Sequence, residues 1–163
     1  MIEELGSGVS NGLKVGDRVS GFVHGAQYER MGSFAEFLVA KAANVMKIPD
    51  NLKDEEAASM GIAGTTAVQA VHQRLGVPAP SSNISSIPQV GKDAPKLLIW
   101  SGSTAVGQYA IQFGTLAGYY VITTASPKNH DLVKGFGAKE VYDYKEENVP
   151  EKIAQAHPDL VSR

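Results

Sequence analysis

The sequence contains no cysteine among its 163 residues. This absence excludes disulfides, thiolate zinc sites and a cysteine nucleophile. No apolar run approaches the roughly 20 residues that a membrane-spanning helix needs. The first residues, Met-Ile-Glu-Glu, are acidic, whereas a secretory signal begins with basic residues. We therefore expect a soluble protein of the cytoplasm with no membrane partner.

The sequence also lacks an excess of either charge. Fifteen Lys and Arg residues face 17 Asp and Glu residues, so the formal net charge is -2. A chain this close to neutral has no bulk attraction for nucleic acid, and we expect no nucleic-acid partner. With 43% hydrophobic and 20% charged residues, the composition is that of a globular protein that can bury a sizeable core.

Short β-strands and glycine turns are predicted over residues 1–51. Arg18 to Val23 alternates imperfectly after a turn, Ser33 to Val39 alternates between two faces, and Asn44 to Ile48 is a short apolar run. Each of these patterns is typical of a strand. We therefore predict a first domain over residues 1–51 that consists mostly of β structure.

Helical patterns begin at Leu52, and residues 52–95 are predicted to connect two domains. Asp54-Glu55-Glu56 places acids in the first turn of a helix, where the helix dipole favours them. Residues 61–64 contain two glycines and predict a break, after which Thr65 or Thr66 would cap a second helix that ends at Gly76. Residues 78–89, rich in proline and serine, predict a surface loop.

The rest of the chain, residues 96–163, alternates between apolar runs and helical patterns. Leu97–Trp100 predicts a strand, Gln108–Ala117 a helix and Tyr119–Thr124 a second strand, with a turn of small residues before the helix. This order is that of the first unit of a dinucleotide-binding α/β fold. The further predicted elements are a helix over Asn129–Phe136, a strand over Glu140–Asp143 and a helix over Val149–Ala156.

The turn at residues 101–107 has the chemistry of a phosphate site. The amino end of a helix presents unpaired N–H groups and a partial positive charge, and small residues leave room for a pyrophosphate. Gly107 would allow close contact between helix and strand. The strict G-x-G-x-x-G pattern is absent, however, and a tight turn of any α/β protein remains the alternative interpretation.

The end of the second predicted strand favours NADP(H) over NAD. An NAD site usually places an acid there for the ribose 2′-hydroxyl, but this chain has Ala125-Ser126-Pro127-Lys128-Asn129 and no acid before Asp131. A hydroxyl, a cation and an amide suit a 2′-phosphate instead. The alternative is a solvated lysine beside a helix cap.

No metal site is predicted. The four histidines are not paired at the spacing that zinc ligands need, and a surface or core-edge role is the simpler interpretation of each. They are His24, His72, His130 and His157.

Taken together, the motifs resemble those of the medium-chain dehydrogenase/reductase superfamily. The resemblance is closest to its zinc-free quinone and enoyl reductases, and particularly to the fungal trans-acting enoyl reductases that partner polyketide synthases. It extends over nearly the whole chain. The motifs are Val15-Gly16-Asp17-Arg18-Val19, Gly32 to Phe37, Ile48-Pro49, Ala57-Ala58, Gly64-Thr65-Thr66-Ala67, Ser101 to Gly107 with Ile111-Gln112, Ser126 to Asn129, and Phe136-Gly137-Ala138.

This resemblance implies a partial GroES-like β domain followed by the first half of a Rossmann-type doubly wound parallel sheet. It also implies NADPH as the hydride donor and a quinone, enone or enoyl thioester as the small-molecule acceptor, with a polyketide synthase as a further partner. By position, Ser103, Thr104, Ala105 and Val106 would line the pyrophosphate, and Ser126, Lys128 and Asn129 would hold the 2′-phosphate. Tyr144 would flank the adenosine, and Thr66 would approach the nicotinamide.

Two of these assignments have simple structural alternatives, and the activity has one as well. Thr66 is equally explained as a helix cap and Tyr144 as an aromatic residue at a strand end. Members of the family are longer at both ends, so a catalytically inactive remnant that binds a nucleotide or dimerises is the alternative to an active reductase. No residue is identifiable as the proton donor.

Overall fold

The computed structural model describes residues 1–80 and 86–160, and the chain divides into two compact units, Met1–Ile62 and Ala63–Arg163. The helices predicted to connect two domains are shared between these units. The predicted loop at 78–89 includes residues 81–85, which lie outside the described residues. The predicted domain boundaries after residues 51 and 95 stay predictions.

The first unit contains a two-stranded antiparallel sheet. β1 (Val19–Gly21) pairs with β2 (Val45–Lys47), and a short 3₁₀ turn over Ala42–Asn44 leads into β2. Both strands lie within the segments that the sequence predicts. In this pair Val19 lies opposite Lys47 and Gly21 lies opposite Val45.

α1 (Asp54–Ser59) packs beside β1 in this unit. The Ser20 hydroxyl donates to the Ala57 carbonyl oxygen at 2.6 Å, and Ala57 is completely buried. The first turn of α1 holds three acids, and one of them, Glu56, accepts the Lys53 backbone N–H at 3.0 Å. The three acids therefore lie at the positive end of the helix dipole, as the acidic pattern predicts.

The strand predicted over residues 33–39 is wrong. This segment forms bends, and the Val39 N–H donates to the Arg30 carbonyl oxygen at 2.8 Å. The Phe34 side chain is fully exposed and Phe37 is mostly exposed. Alternation predicts a strand only where a neighbouring strand accepts its hydrogen bonds, and no segment in the described part of the chain pairs with this one.

The break predicted at residues 61–64 is also wrong, and so are the helix caps predicted at Thr65 or Thr66. A π-helical turn over Met60–Gly64 leads directly into α2 (Thr65–Val68), and Gly64 has helical angles, φ -63° and ψ -47°. A second π-helical stretch, Gln69–Arg74, continues the helix. Glycine weakens a helix by only about 1 kcal/mol, which tertiary packing readily overcomes.

The second unit is built on a parallel sheet in the order β3-β4-β5. β3 is Lys96–Ile99, β4 is Tyr120–Thr124 and β5 is Glu140–Tyr142. Ile99 lies beside Thr123, and Thr124 lies beside Tyr142. The predicted strand–turn–helix–strand unit is thereby confirmed: the strand bounds differ by one residue, and the helix begins three residues earlier than predicted.

Three helices accompany this sheet. α3 is Ala105–Leu116, α4 is His130–Gly135 after a 3₁₀ turn at Pro127–Asn129, and α5 is Val149–Ala156. α2 packs against α3 in the same unit. None of the helices in the described ranges is long and apolar enough to cross a lipid bilayer.

β4 forms the centre of the core, because all five of its residues are buried. Such continuous burial is typical of the middle strand of a parallel sheet that is covered on both faces. Each large apolar side chain removed from water contributes about 1.5–3 kcal/mol. The buried residues of this hydrophobic core are Ala67, Val71, Val77, Leu97, Ile99, Ala110, Ile111, Val121, Ala125, Val133 and Ala138.

Candidate functional site

The carboxyl edge of the parallel sheet holds the turns that follow β3 and β4. Because the strands are parallel and Ile99 lies level with Thr123, both strands end at the same edge. Ligands of open α/β sheets bind at this edge. Eight of the nine predicted site residues belong to the turns after β3 and β4, to the first turn of α3 or to the segment after β5.

Two hydrogen bonds tie the turn after β3 to the end of β4. The Ser101 N–H donates to Thr124 Oγ1 at 2.9 Å, and the Gly102 N–H donates to the Thr124 carbonyl oxygen at 2.9 Å. Ser101 has φ +64°, a left-handed conformation that a residue other than glycine seldom adopts. The buried Thr124 therefore fixes the direction in which the chain leaves β3.

Close backbone packing explains the small residues of this turn. A Cβ atom on Gly107 would overlap the Ser101 carbonyl oxygen and lie 2.8 Å from the Gly102 Cα. Gly107 thus lets the first turn of α3 rest directly on the turn after β3. The close approach predicted for Gly107 is made to this turn.

Thr104 caps the amino end of α3. Its Oγ1 accepts the Gly107 N–H at 3.1 Å and donates to the Ser101 carbonyl oxygen at 2.9 Å. Within residues 1–80 and 86–160, the backbone N–H groups of Ser103, Ala105 and Val106 have no hydrogen-bond acceptor. These donors and the positive end of a 12-residue helix form a site that suits an anion.

Gln108 supports the same turn from within α3. Its side-chain amide donates to the Ser103 carbonyl oxygen at 3.0 Å. With this carbonyl held by the helix, the adjoining amides keep a fixed direction. Nothing in the sequence pattern signals this contact, because glutamine is an ordinary helix residue.

The turn after β4 carries the three residues predicted to bind a 2′-phosphate. The Asn129 N–H donates to the Ser126 carbonyl oxygen at 2.8 Å, and its side-chain amide donates to Ser126 Oγ at 3.3 Å. Lys128 is exposed, whereas Ser126 and Asn129 are half-buried. No carboxylate occurs between the end of β4 and Asp131.

His130 also contacts this turn, although the sequence pattern does not signal it. Its Nε2 lies 3.1 Å from the Ala125 carbonyl oxygen, and since a carbonyl can only accept, the proton is on Nε2. Ala125 is buried where β4 ends. The imidazole therefore joins the beginning of α4 to the end of the strand.

Tyr144 and Thr66 lie outside the two turns. Tyr144 lies two residues beyond β5, at the same edge of the sheet, and its side chain is 49% exposed. Thr66 is exposed on α2. No hydrogen bond in the described part of the chain joins Thr66 to either turn, so the structure does not link it to the other eight residues.

A partly buried polar cluster lies at the opposite, amino edge of the sheet. Glu140 accepts hydrogen bonds from the Tyr120 hydroxyl at 2.8 Å, the Tyr142 hydroxyl at 3.1 Å and His157 Nε2 at 3.0 Å. His157 is 6% exposed, and its Nδ1 has no partner among the described residues. The sequence pattern does not reveal this cluster because its members are far apart in the chain.

The cluster shifts the pKa of its acid and of both tyrosines. Burial alone would raise the pKa of Glu140, but the hydrogen bonds from Tyr120, His157 and Tyr142 outweigh it and lower that pKa. Burial and the hydrogen bond to Glu140 raise the pKa of Tyr120 to about 12 and raise that of Tyr142 as well.

The histidines and acids do not gather as metal ligands. In the part of the chain that the structure describes, no three His, Asp or Glu residues are placed to hold a metal ion. His72 contacts the Val77 carbonyl oxygen at 2.9 Å, and His24 packs its ring against Phe22.

No protein-family model matches the sequence, but individual proteins do. A trans-enoyl reductase of Aspergillus sclerotiorum is 40% identical over 152 residues, which cover 88% of this chain and 42% of the relative. The quinone oxidoreductase of Coxiella burnetii is 33% identical with a TM-score of 0.71, over 92% of this chain and 42% of that one.

Two further solved structures bear on the cofactor. A mycobacterial protein complexed with NADPH is 28% identical with a TM-score of 0.68, over 96% of this chain and 42% of its own. An NAD-dependent alcohol dehydrogenase is 27% identical with a TM-score of 0.70, over 96% of this chain and 48% of its own.

The predicted α/β fold class, a partial GroES-like β domain followed by the first half of a Rossmann-type sheet, is confirmed by these matches. The chain spans between 42% and 48% of the length of these four proteins. With the motif order, the parallel sheet and these similarities in agreement, the chain belongs to the medium-chain dehydrogenase/reductase superfamily, in which it resembles the quinone and enoyl reductases.

Proposed function

We propose that the chain is the cofactor-binding part of an NADPH-dependent reductase that transfers a hydride to an activated C=C bond or a quinone. One observation carries this proposal. The free amides at the start of α3 lie at the same sheet edge as a turn that offers Ser126, Lys128 and Asn129 and no carboxylate. This combination suits a pyrophosphate beside a 2′-phosphate.

Each of the two turns would bind a different group of the cofactor. The segment Ser103, Thr104, Ala105 and Val106 would bind the pyrophosphate with its free N–H groups. Ser126 Oγ and the Asn129 amide would donate to the 2′-phosphate, and the ammonium of Lys128 would neutralise its charge. Tyr144 would flank the adenosine, and Thr66 would approach the nicotinamide.

In the proposed reaction, the turns after β3 and β4 would bind and orient the cofactor. When bound, NADPH supplies the hydride. Cofactor atoms held at two rigid turns are positioned before the acceptor arrives, which lowers the entropic part of the barrier. The chain supplies no thiolate for a zinc ion, so we propose a zinc-independent reaction.

The acceptor is proposed from the chemistry of the relatives. The Aspergillus relative is a trans-enoyl reductase and the Coxiella relative a quinone oxidoreductase, so an enone, an enoyl thioester or a quinone is the proposed substrate class. A polyketide synthase is the proposed partner, in keeping with the resemblance to trans-acting enoyl reductases. A cytoplasmic site of action stays a prediction.

A nucleotide-binding or dimerising module without turnover is the second function that we propose. The two functions share the cofactor site and differ in the chemical step.

Isothermal titration of the 163-residue chain with NADPH and NADH tests the site. We expect NADPH to bind at least tenfold more tightly. Equal affinity or a preference for NADH would overturn the assignment of the 2′-phosphate site.

Turnover separates the two functions. NADPH oxidation is followed at 340 nm with a quinone and with an enoyl thioester, and a full-length trans-enoyl reductase serves as the positive control. Consumption of NADPH that depends on the acceptor supports the reductase. Tight NADPH binding without consumption supports the binding module.

A further inference from the structure

The carbonyl group of Ala125 is a backbone acceptor that the sheet leaves unpaired. β4 ends at Thr124, and the Ala125 N–H still donates to the Tyr142 carbonyl oxygen at 3.0 Å. Ala125 is 1% exposed, so water does not replace a missing donor there. A buried carbonyl without a partner costs free energy, which makes its donor a structural necessity.

That donor is the imidazole of His130, the first residue of α4. Its Nε2–H reaches back across the turn to the Ala125 carbonyl oxygen at 3.1 Å. The backbone N–H of the same residue donates to the Pro127 carbonyl oxygen. His130 thus closes the loop that begins at Ala125, from the side chain and from the main chain together.

The loop closed in this way contains the residues that the proposed function assigns to the 2′-phosphate. Its interior is held by the Asn129 N–H on the Ser126 carbonyl oxygen and by the Asn129 amide on Ser126 Oγ. Neither of these bonds fixes the loop to the sheet. The His130–Ala125 bond does, because Ala125 belongs to the buried end of the strand ladder.

We propose that His130 is a positioning residue that sets the preference for NADPH over NADH, an inference that rests on the proposed function. It acts by holding the peptide before Ser126 in one orientation. Without it, the Ser126 and Asn129 donors would lose their common direction toward the 2′-phosphate. The turn at Ser103 would be unaffected, because Thr124 fixes that turn independently.

Two substitutions separate the hydrogen bond from the volume of the ring. His130→Gln keeps an N–H donor at the same number of bonds from the backbone, whereas His130→Leu fills similar space without a donor. Lys134→Ala is the matched control, since Lys134 is an exposed residue of the same helix outside the proposed site.

The experiment is isothermal titration of the wild-type chain and these three variants with NADPH and with NADH, after thermal melts that establish folding. We expect His130→Leu to weaken NADPH binding about tenfold, an effect of the size of one lost hydrogen bond, and to leave NADH binding unchanged. His130→Gln should retain the wild-type preference, and Lys134→Ala should change neither affinity.

Each outcome decides a separate point. A wild-type chain without NADPH preference overturns the proposed function, and the inference falls with it. A wild-type preference that His130→Leu preserves, or an equal loss of NADPH and NADH affinity, overturns the role of His130 alone. Should the leucine variant fail to fold, His130→Asn, whose amide is one bond too short, takes its place with the same expected loss.

Discussion

Gly102 lies so close to Thr123 that a Cβ atom on the glycine would overlap the threonine hydroxyl oxygen. That hydroxyl donates to the Ile99 carbonyl oxygen at 2.6 Å and is fully buried. It cannot turn aside without leaving a buried polar group unpaired. The turn after β3 is therefore shaped by the neighbouring strand β4, independently of any ligand.

Gly102→Ala should destabilise the chain. The added methyl group would also lie 2.9 Å from Ile111 Cδ1, so neither side of the site has room for it. Overpacking of this kind costs about 1–3 kcal/mol. The free energy of unfolding from urea titration measures it. Gly135→Ala is the control, since nothing lies within 4 Å of its Cβ position, and it should be neutral or stabilising by up to about 1 kcal/mol.

Thr124→Val should release the Ser101 amide. The valine has nearly the same shape but no acceptor, so the Ser101 N–H, now 2.9 Å from Thr124 Oγ1, would lose this partner at a cost of about 0.5–1.5 kcal/mol. Hydrogen exchange of the Ser101 N–H, measured by NMR, should accelerate. Thr124→Ser keeps the oxygen and should keep the protection, and equal exchange in both variants would contradict the assigned bond.

The architecture of the second unit could be predicted because its signals are local. Apolar runs and helical spacing predicted three strands and their helices, and the observed bounds of α5 are those predicted. The contacts that shape the site could not be predicted in this way. Thr123 and Thr124 look like ordinary strand residues until the fold brings them to Ile99 and Ser101, more than twenty positions away.

The wrong strand at residues 33–39 and the wrong break at residues 61–64 have a common physical cause. Alternation over residues 33–39 predicted a strand, but a strand depends on a neighbour that the segment itself does not specify. The glycines at 61–64 predicted a break, but Gly61 lies where a Cβ would overlap the Gly21 carbonyl oxygen, so close packing explains the small residue. In both cases tertiary context decided against the local pattern.

Stability should fall in acid because of Glu140. Its pKa is lower in the folded chain than the ordinary 4.5. Its contribution to the free energy of unfolding is therefore complete above pH 4.5 and is lost as the pH falls through the folded-state pKa. Glu140→Gln should flatten this acid limb, and it should cost about 1–3 kcal/mol at pH 7 because the amide cannot accept all three hydrogen bonds. Urea titrations at a series of pH values test both effects.

The alkaline limb should depend on Tyr120. Its pKa is raised to about 12 from 10.0, so its contribution is complete below pH 10 and is lost as the pH rises toward 12, where the folded chain also ionises. Tyr120→Phe should reduce the dependence of the unfolding free energy on pH above 10. An unchanged slope in this variant would assign the alkaline limb to other groups.

Lys128→Met should separate a phosphate ligand from a solvated lysine. The side chain is exposed, so its loss should leave the melting temperature unchanged. A charge-assisted bond to the 2′-phosphate is worth about 1.5–3 kcal/mol, which corresponds to a loss of at least tenfold in NADPH affinity, with NADH affinity unaffected. Lys92→Met, at an exposed position before β3, is the matched control.

The wild-type preference should also weaken with added salt, because an exposed ion pair is screened, and this salt dependence should disappear in Lys128→Met. A lysine that is merely solvated would give equal affinities in all three chains at every salt concentration.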